Sequence, residues 1–337
     1  MAVIFLLMDL HPSVVFLGGL VVIILGAELV LRGAAAIAAM LGIRPIVIGL
    51  TVVSVGTSMP ELAVGITAVS EGMGPLAVGN IAGTNIVNIL FILGLSAAIR
   101  PLPLHSQSIK FDVPVMIFTS MVLIVMAIDG VLSPSEGWVL ILMSVAYLVM
   151  IIKVARKASY REKRQAQEKF SQEALVEKTK AAGLNAWFLN SVMLVGGIAL
   201  TILGADLLVN GAVIIAKNLG VSESVIGLTI VAIGTSAPEI ATTIVATIKN
   251  ERDVAVGNLV GSGITNILVI LGLTCVISSN PVDVSNDVLW FDLPLSAAIA
   301  LICYPVFRSD KMVSRKEGII FVSCYLVYIL TLILFRA

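Results

Sequence analysis

Two short segments of the chain carry residue types that bind a hard cation. GTSMPE covers residues 56–61 and GTSAPE covers residues 234–239, and each places one glutamate inside a long apolar run. An ionisable side chain within such a run is energetically expensive, so it indicates a functional site. The proline before each glutamate removes a backbone N–H, which predicts a kinked helix with a freed carbonyl oxygen. Carboxylates and freed carbonyls are together ligands for Ca²⁺.

Neutral oxygens accompany both glutamates at helical spacing. Hydroxyls stand on or near the helical face of each carboxylate, and the next apolar runs contain GNIAG and GNLVG, each followed by a hydroxyl and an amide four residues apart. We predict that these oxygens complete a coordination shell without adding charge. The set is Ser54, Thr57, Ser58, Glu61, Thr84 and Asn88, followed by Thr235, Ser236, Glu239, Ser262 and Asn266.

A structural explanation of these motifs competes with the functional one. Gly, Ser and Thr let helices approach closely in a membrane, which accounts for the small residues but not for two carboxylates. Buried amides can also bond across helices. We assign that structural role to Asn80 and Asn258, and we assign ion contact to Asn88 and Asn266.

The number and kind of oxygens restrict the ion. Ca²⁺ takes six to eight oxygen ligands, Na⁺ has nearly the same size, and the set has no soft ligand for Zn²⁺ or Cu. A site with a charge of about −2 holds one divalent ion or several monovalent ions, and such competition is what an antiporter requires. Two close carboxylates also resist joint ionisation, so protons should compete at low pH.

The composition indicates a membrane protein. Of the 337 residues, 58% are hydrophobic and 12% are charged, against about 25% charged in a soluble domain. The formal net charge is zero, so nothing suggests a nucleic-acid partner. The three cysteines lack disulfide or zinc spacing, and two isolated histidines make a transition-metal site improbable. We expect no resident cofactor and no enzymatic activity.

The apolar runs predict an all-α polytopic protein with ten membrane-spanning helices. Each run is long enough to cross about 30 Å of hydrocarbon, and continuous rather than alternating hydrophobicity excludes a barrel. The first run has no cleavage site, so we expect it to be retained. The predicted spans are residues 14–40, 45–69, 75–99, 109–128, 134–155, 186–216, 223–248, 254–277, 287–307 and 316–335.

Basic residues predict the orientation. Nine lie between Lys153 and Lys180, which places that segment in the cytoplasm. With ten spans, 18 of the 21 Lys and Arg residues face the cytoplasm, and both termini lie outside. We therefore expect a multi-pass protein of the plasma or inner membrane, with residues 156–183 as a cytoplasmic linker too short for a separate domain.

An internal repeat divides the chain. The two GTSxPE motifs start at Gly56 and Gly234, 178 positions apart, and the same offset superposes GAELVLRGA on GADLLVNGA and GNIAGTNIVNILFILGLS on GNLVGSGITNILVILGLT. Residues 1–155 and 184–337 are thus two copies of five spans. Because five is odd, the copies should be inverted, which is the design of secondary transporters with a site at the midplane. A monomer should suffice for transport.

We assign structural roles to the other acidic residues that lie in or beside the apolar runs. Glu28 and Asp206 are repeat partners that we expect to bond between helices or to face a water path. Asp112 and Asp292 begin spans, where an acid favours a helix N-terminus. Asp129 with Gly130 is typical of an external turn.

With these motifs the chain resembles the sodium/calcium exchangers of the cation/calcium antiporter superfamily, above all their small prokaryotic members. The resemblance implies a ten-helix fold whose helices 2, 3, 7 and 8 hold one Ca²⁺ or about three Na⁺. It adds Ala232 to the set above and implies direct Ca²⁺ ligation by Glu61 and Glu239 with the Thr57 and Thr235 carbonyls. Helices 1 and 6 would slide across the core to alternate access.

Some positions depart from the family pattern. Asn266 replaces an Asp of some relatives, including potassium-dependent ones, which argues against K⁺ transport. Gly263 replaces the Asn found at the matching Asn85, which would loosen one wall. The chain lacks the acidic residues of the GNxxE pattern, which is typical of the proton-coupled branch. It also lacks the long regulatory loop of animal exchangers.

The sequence therefore predicts an antiporter that extrudes Ca²⁺ in exchange for Na⁺. An exchanger of H⁺ for Ca²⁺, or for another divalent ion, on the same scaffold is the alternative. An intramembrane hydrolase could also use two buried acids, but it would need an activated nucleophile or a water-cleaving carboxylate pair. A passive channel has no need for an inverted repeat, and saturation with counter-transport would separate it from an exchanger.

Overall fold

A computed structural model describes residues 11–43, 45–104, 108–169, 184–219 and 232–336, and within them the chain is mostly helical. The first half contains α1 (Pro12–Leu41), α2a (Pro45–Thr57), α2b (Met59–Ser70), α3 (Gly74–Ile99), β1 (Leu102–Pro103), α4 (Ser108–Asp129), β2 (Val131–Leu132) and α5 (Pro134–Lys169). The second half contains α6 (Leu184–Asn218), α7a (Ala232–Thr235), α7b (Ala237–Ile248), α8 (Arg252–Ile277), β3 (Val282–Asp283), α9 (Val288–Ser309), β4 (Met312–Val313) and α10 (Arg315–Arg336).

The helices confirm a polytopic membrane protein. Seven of those described are long and apolar enough to cross a membrane, and α2a with α2b makes an eighth if the bent pair is one span. The helix α10 has 22 residues, and α7b is a shorter apolar helix. The start of the predicted seventh span, residues 223–231, lies outside the described residues.

Local sequence explains where the helices begin and end. Pro12 occupies the first turn of α1, and Gly42 ends that helix with φ 65°, a left-handed conformation that glycine adopts without strain. The turn predicted at Asp129 and Gly130 is confirmed, since Gly130 has φ 86° and Asp129 Oδ1 accepts from the Val131 N–H. The helix α5 continues to Lys169 and so includes the first half of the segment predicted as a linker at 156–183; residues 170–183 lie outside the described part.

The two glutamate-bearing helices are interrupted where the prolines predict. The halves of α2 meet at Ser58 with a bend of 41°, and Pro60 stands in the first turn of α2b. The break at Ser236 has almost the same backbone conformation, with φ −87° and ψ 6° against −85° and 12° at Ser58. Each break therefore leaves a carboxylate in the first turn of a new helix.

The neighbouring helices widen at the predicted amides. A π-helical turn covers Val87–Leu93 within α3, and another covers Asn266–Leu271 within α8. Such turns accommodate an extra residue in an α-helix and occur often at functional sites. Asn88 and Asn266 therefore stand at equivalent distortions of the two helices.

Glycines join α1 to α6 along their whole length. Gly19, Gly26 and Gly33 recur every seven residues, and a Cβ added at any of them would strike the backbone of α6. The glycines of α6 that meet α1 in return are Gly197, Gly204 and Gly211. Gly33 lies against Leu194 and Gly19 against Leu208, so the two helices run antiparallel. Close backbone contact of this kind favours helix association in a membrane.

The remaining helices enclose a core built from α2, α3, α7b and α8. The helix α2a packs on α8, while α2b packs on α3 and α7b on α8. Outside them, α5 packs on α8 and α10 on α3. Two short antiparallel ladders, β1 with β4 and β2 with β3, join loops of the first half to loops of the second.

Replacing Gly197 by Ala should weaken the α1–α6 pair. The new Cβ would lie 2.7 Å from the Val30 backbone nitrogen, so the helices must separate, at a cost of about 1–3 kcal/mol. Gly196→Ala is the matched control, because nothing lies within 4 Å of its added Cβ and both variants gain the same helix propensity. Thermal melting in detergent should show a lower midpoint for Gly197→Ala alone. Equal midpoints for the two variants would contradict this packing.

Candidate cation-binding site

The predicted ligands gather in the core. Ser54, Ser58 and Glu61 are inaccessible to solvent, and so is Glu239. The Glu61 and Glu239 carboxylates are close enough to interact electrostatically. The other buried members of the predicted set are Thr57, Thr84, Asn88, Ser236, Ser262 and Asn266. Thr235 is half-buried, and the side chain of Ala232 lies outside the described part of the structure.

The two motifs are in direct hydrogen-bond contact. The Ser58 hydroxyl donates to Glu239 Oε1 across 3.1 Å, so the first half helps to orient the carboxylate of the second. The repeat-equivalent pair behaves differently. Neither Ser236 Oγ nor either Glu61 oxygen has a hydrogen-bond partner among the residues that the structure describes. The two carboxylates are therefore held unequally.

Buried polar atoms without partners concentrate in this site. Within the described ranges there are 14 such side-chain atoms, and eight belong to the predicted ligands. Buried polar groups are normally hydrogen-bonded, so a cluster of exceptions indicates that something else satisfies them. The oxygens concerned are Glu61 Oε1 and Oε2, Glu239 Oε2, Asn88 Oδ1, Asn266 Oδ1, Ser236 Oγ and Ser262 Oγ.

Two predicted hydroxyls make other bonds. Ser54 Oγ lies 3.1 Å from the Thr51 carbonyl and 3.3 Å from Thr265 Oγ1, and Thr57 Oγ1 donates to Asn258 Oδ1 across 3.2 Å. The Ser54 hydroxyl joins α2a to α8 rather than standing free beside Glu61. The backbone carbonyl of Thr57, which the family resemblance implies as a ligand, is not engaged by these side-chain bonds.

Asn258 makes the interhelical bonds that the sequence predicts for it. It accepts from Thr57 of α2a, and its Nδ2 lies 3.0 Å from Thr242 Oγ1 and 3.3 Å from Thr243 Oγ1, both on α7b. One amide thus connects three helices of the core. The sequence motifs do not single out these two threonines, although their spacing from Glu239 places them one helical turn further along.

The hydrogen bonds of a second amide, Asn85, are not predicted by the sequence. Asn85 is buried on α3, receives a hydrogen bond from Asn266 and donates to the Gly263 carbonyl. The sequence shows that its repeat partner is a glycine, but not which atoms it contacts.

The other acids differ from their assignments in part. Glu28 bonds between helices as expected, since it pairs with Lys249 at the end of α7b, and it also pairs with Arg32 Nε of its own helix at 2.7 Å. Asp206, its repeat partner, is exposed. Asp112 lies near the start of α4 as predicted, where the π-helical turn Ser108–Asp112 passes into the α-helix, but its side chain makes no capping hydrogen bond there. Asp112 Oδ1 instead accepts from the buried Tyr147 hydroxyl. Asp292 likewise caps no N–H of α9, which begins at Val288.

The fold and buried site together define a class, the polytopic membrane transporters. A sequence model described as "Sodium/calcium exchanger protein" matches residues 11–153 and 189–334. The chain therefore belongs to the sodium/calcium exchanger family and is a transporter rather than an enzyme.

Relatives match nearly the whole chain. Inner membrane protein YrbG of Escherichia coli is 36% identical, with 92% of this chain and 93% of that protein covered. Sodium/calcium exchanger MaX1 of Methanosarcina acetivorans is 31% identical over 94% and 97% of the two chains. A structure of the sodium-calcium exchanger NCX_Mj, soaked with Na⁺, aligns with a TM-score of 0.80 at 28% identity and covers 96% of this chain and 99% of that one.

Replacing Glu61 by Gln should remove Ca²⁺ binding, because a neutral amide cannot balance a buried divalent charge. In the unsubstituted protein, Ca²⁺ at about 100 times its Kd adds about 2.7 kcal/mol of stability, which raises the melting temperature. We expect no Ca²⁺-dependent rise in Glu61→Gln or Glu239→Gln. Glu71→Gln, an exposed change just past α2b, is the control and should keep the full rise. A full rise in both buried variants would refute the site.

Proposed function

We propose that this chain is a secondary antiporter that extrudes Ca²⁺ in exchange for Na⁺ by alternating access. The observation that carries the proposal is the state of Glu61, a fully buried carboxylate with neither oxygen hydrogen-bonded by a described residue. A carboxylate that is buried in its ionised form needs a counter-charge, and no residue in the described part of the chain is paired with either oxygen of Glu61. A mobile cation supplies that charge.

The proposed ion ligands come from both halves. The two carboxylates bind Ca²⁺ directly, with neutral hydroxyl, amide and carbonyl oxygens completing a shell of the size that Ca²⁺ takes. Ser54 and Thr57 contribute oxygens beside Glu61, and Thr57 does so through its backbone carbonyl, as the family resemblance implies. The full set is Ser54, Thr57, Ser58, Glu61, Thr84, Asn88, Ala232, Thr235, Ser236, Glu239, Ser262 and Asn266.

The charge of the site explains exchange. Two carboxylates balance one Ca²⁺ or about two Na⁺, and a further Na⁺ can occupy the neutral oxygens, as the family resemblance implies. Both ions cannot be held at full occupancy, because the excess positive charge would be buried in a low dielectric. Na⁺ that enters the site therefore expels Ca²⁺, and Ca²⁺ that enters the site expels Na⁺.

Contacts between equivalent elements support ten spans arranged as two inverted halves, residues 1–155 and 184–337. The ladder of β1 with β4 has its counterpart in that of β3 with β2. The close approach of Gly94 to Gly318, between α3 and α10, corresponds to that of Gly272 to Gly137, between α8 and α5. The antiparallel α1–α6 pair joins the first helices of the halves. A two-fold axis in the membrane plane would generate each of these pairings.

This symmetry gives a route for alternating access. Because the α1–α6 pair is joined through glycines, it can move as one unit across the core. We place residues 156–183 in the cytoplasm and both termini outside, following the positive charges, in a plasma or inner membrane. One chain carries the complete site, so a monomer should suffice.

The relatives support Na⁺ as the coupling ion. MaX1 carries the name of a sodium/calcium exchanger, and structures of NCX_Mj were obtained with Na⁺ together with Ca²⁺ or Sr²⁺. CaxA of Alkalimonas amylolytica, 35% identical, is called a putative antiporter without a named ion. Exchange of H⁺ for Ca²⁺ is the alternative, since two close carboxylates also attract protons.

In proteoliposomes loaded with Na⁺, an outward Na⁺ gradient should drive uptake of radioactive Ca²⁺. With about three Na⁺ per Ca²⁺, each cycle moves one net positive charge outward, so an inside-positive potential should accelerate uptake by up to about 2.3 kcal/mol per 100 mV of driving force. Glu239→Gln liposomes are the control and should show no Na⁺-driven uptake. Uptake that follows a pH gradient and ignores Na⁺ would replace this proposal with the H⁺-coupled one.

A further inference from the structure

The two halves of the site differ at one position. The motif of α3 places Asn85 between Thr84 and Asn88, whereas the repeat-equivalent motif of α8 places Gly263 between Ser262 and Asn266. Asn85 is 5% exposed and reaches across to α8 with both amide atoms. Its Nδ2 donates to the Gly263 carbonyl at 3.3 Å, and its Oδ1 accepts from Asn266 Nδ2 at 3.2 Å.

These two bonds fix which way each amide faces. A backbone carbonyl can only accept, so the Asn85 NH₂ must point to Gly263, and its oxygen must point to Asn266. Asn266 then has to present its own NH₂ to Asn85. If Asn266 turned over, two acceptor oxygens would meet and the bond would be lost. The Gly263 carbonyl thereby orients the Asn85 amide, and the Asn85 amide in turn orients that of Asn266.

The outcome is an oxygen free for a cation. Asn266 Oδ1 points away from Asn85, is fully buried, and has no partner among the described residues. A hard cation binds the oxygen of an amide and is repelled by its NH₂ group, so only this orientation makes Asn266 a ligand.

The amide ligand of the first half, Asn88, has no such residue to orient it. Asn88 is the repeat partner of Asn266, and the position that would orient it is Gly263, which has no side chain. Both amide atoms of Asn88 are buried without a partner among the residues described. Asn88 can therefore turn over, whereas Asn266 cannot.

We propose that Asn85 is a positioning residue that holds the Asn266 carbonyl oxygen toward the transported cation and so sets the affinity for Ca²⁺. The proposal rests on the proposed function, because it assigns a residue to that same site. It also predicts which of the two ions binds more weakly when the orientation is lost. The energy of an ion beside an amide dipole scales with the ion's charge, so loss of the orientation weakens Ca²⁺ more than it weakens each Na⁺.

A double-mutant cycle on Asn85 and Asn266 separates positioning from packing. Partners that orient a metal ligand contribute about 10- to 100-fold to affinity, so Asn85→Ala should raise the apparent KM for Ca²⁺ about tenfold in Na⁺-driven uptake. The apparent affinity per Na⁺ should fall only about threefold, the square root of the Ca²⁺ effect. The maximal rate should change less than the KM.

Asn266→Asp is the decisive background. A carboxylate offers an oxygen in either orientation and no longer needs Asn85. Adding Asn85→Ala to Asn266→Asp should therefore raise the KM for Ca²⁺ less than twofold. An equal increase in both backgrounds, or a loss of maximal rate with unchanged KM, would show a packing role and overturn the proposal.

Gly263→Asn tests the same idea by addition. A Cβ at this position would lie 3.2 Å from Met116 Sδ, near the end of a flexible side chain that can move aside. The new amide should orient Asn88 as Asn85 orients Asn266, and the KM for Ca²⁺ should fall severalfold. An unchanged or higher KM in a variant that still transports at the normal maximal rate would contradict the proposal.

Failure of the proposed function would be visible separately. If the unsubstituted protein shows no Na⁺-driven Ca²⁺ uptake, the exchange assignment is wrong. The Ca²⁺-dependent rise in melting temperature then still measures the effect of Asn85→Ala on ion affinity in both backgrounds. A rise that needs the same Ca²⁺ concentration with and without Asn85 would overturn the positioning role.

Discussion

The burial of two carboxylates in the helical core is the constraint on which this structure depends. Glu61 and Glu239 are removed from water, and among the described residues neither forms an ion pair with a Lys or Arg. A fixed cation nearby would stabilise the fold but would also occupy the charge that a transported ion must balance. The protein leaves that charge unbalanced and surrounds it with neutral oxygens. In the proposed function, the transported cation supplies the missing counter-charge.

The rest of the molecule holds these groups in place without neutralising them. Interrupted helices deliver each carboxylate at the start of a new helical segment, and the Asn258 amide connects the three helices around them. Glycine contacts between α1 and α6 and across the outer helices keep backbones close where no charged pair could do so. Close packing of small residues therefore holds these helices together.

The sequence predicts the carboxylates, the helix breaks and the two-copy organisation, because each leaves a local signal. An acid in an apolar run, a proline three residues after a threonine and a fixed offset are all visible without coordinates. The sequence does not show the orientation of a polar side chain or its hydrogen-bond partners. The Ser54 and Thr57 hydroxyls, which we predict as ligand oxygens, also bond to Thr265 and Asn258, and the sequence gives no sign of these bonds. The hydrogen bonds of Asn85 are not predicted because its role depends on hydrogen-bond direction between helices, and its repeat partner lacks a side chain.

In the proposed function, Na⁺ and Ca²⁺ compete for one buried site made by both glutamates. Equilibrium binding of radioactive Ca²⁺ to the purified protein, repeated at rising Na⁺ concentration, tests it directly. We expect one bound Ca²⁺ per chain and complete displacement by Na⁺, with a sigmoidal dependence because several Na⁺ replace one Ca²⁺. Ca²⁺ that stays bound at saturating Na⁺ would contradict a shared site and with it the proposed exchange.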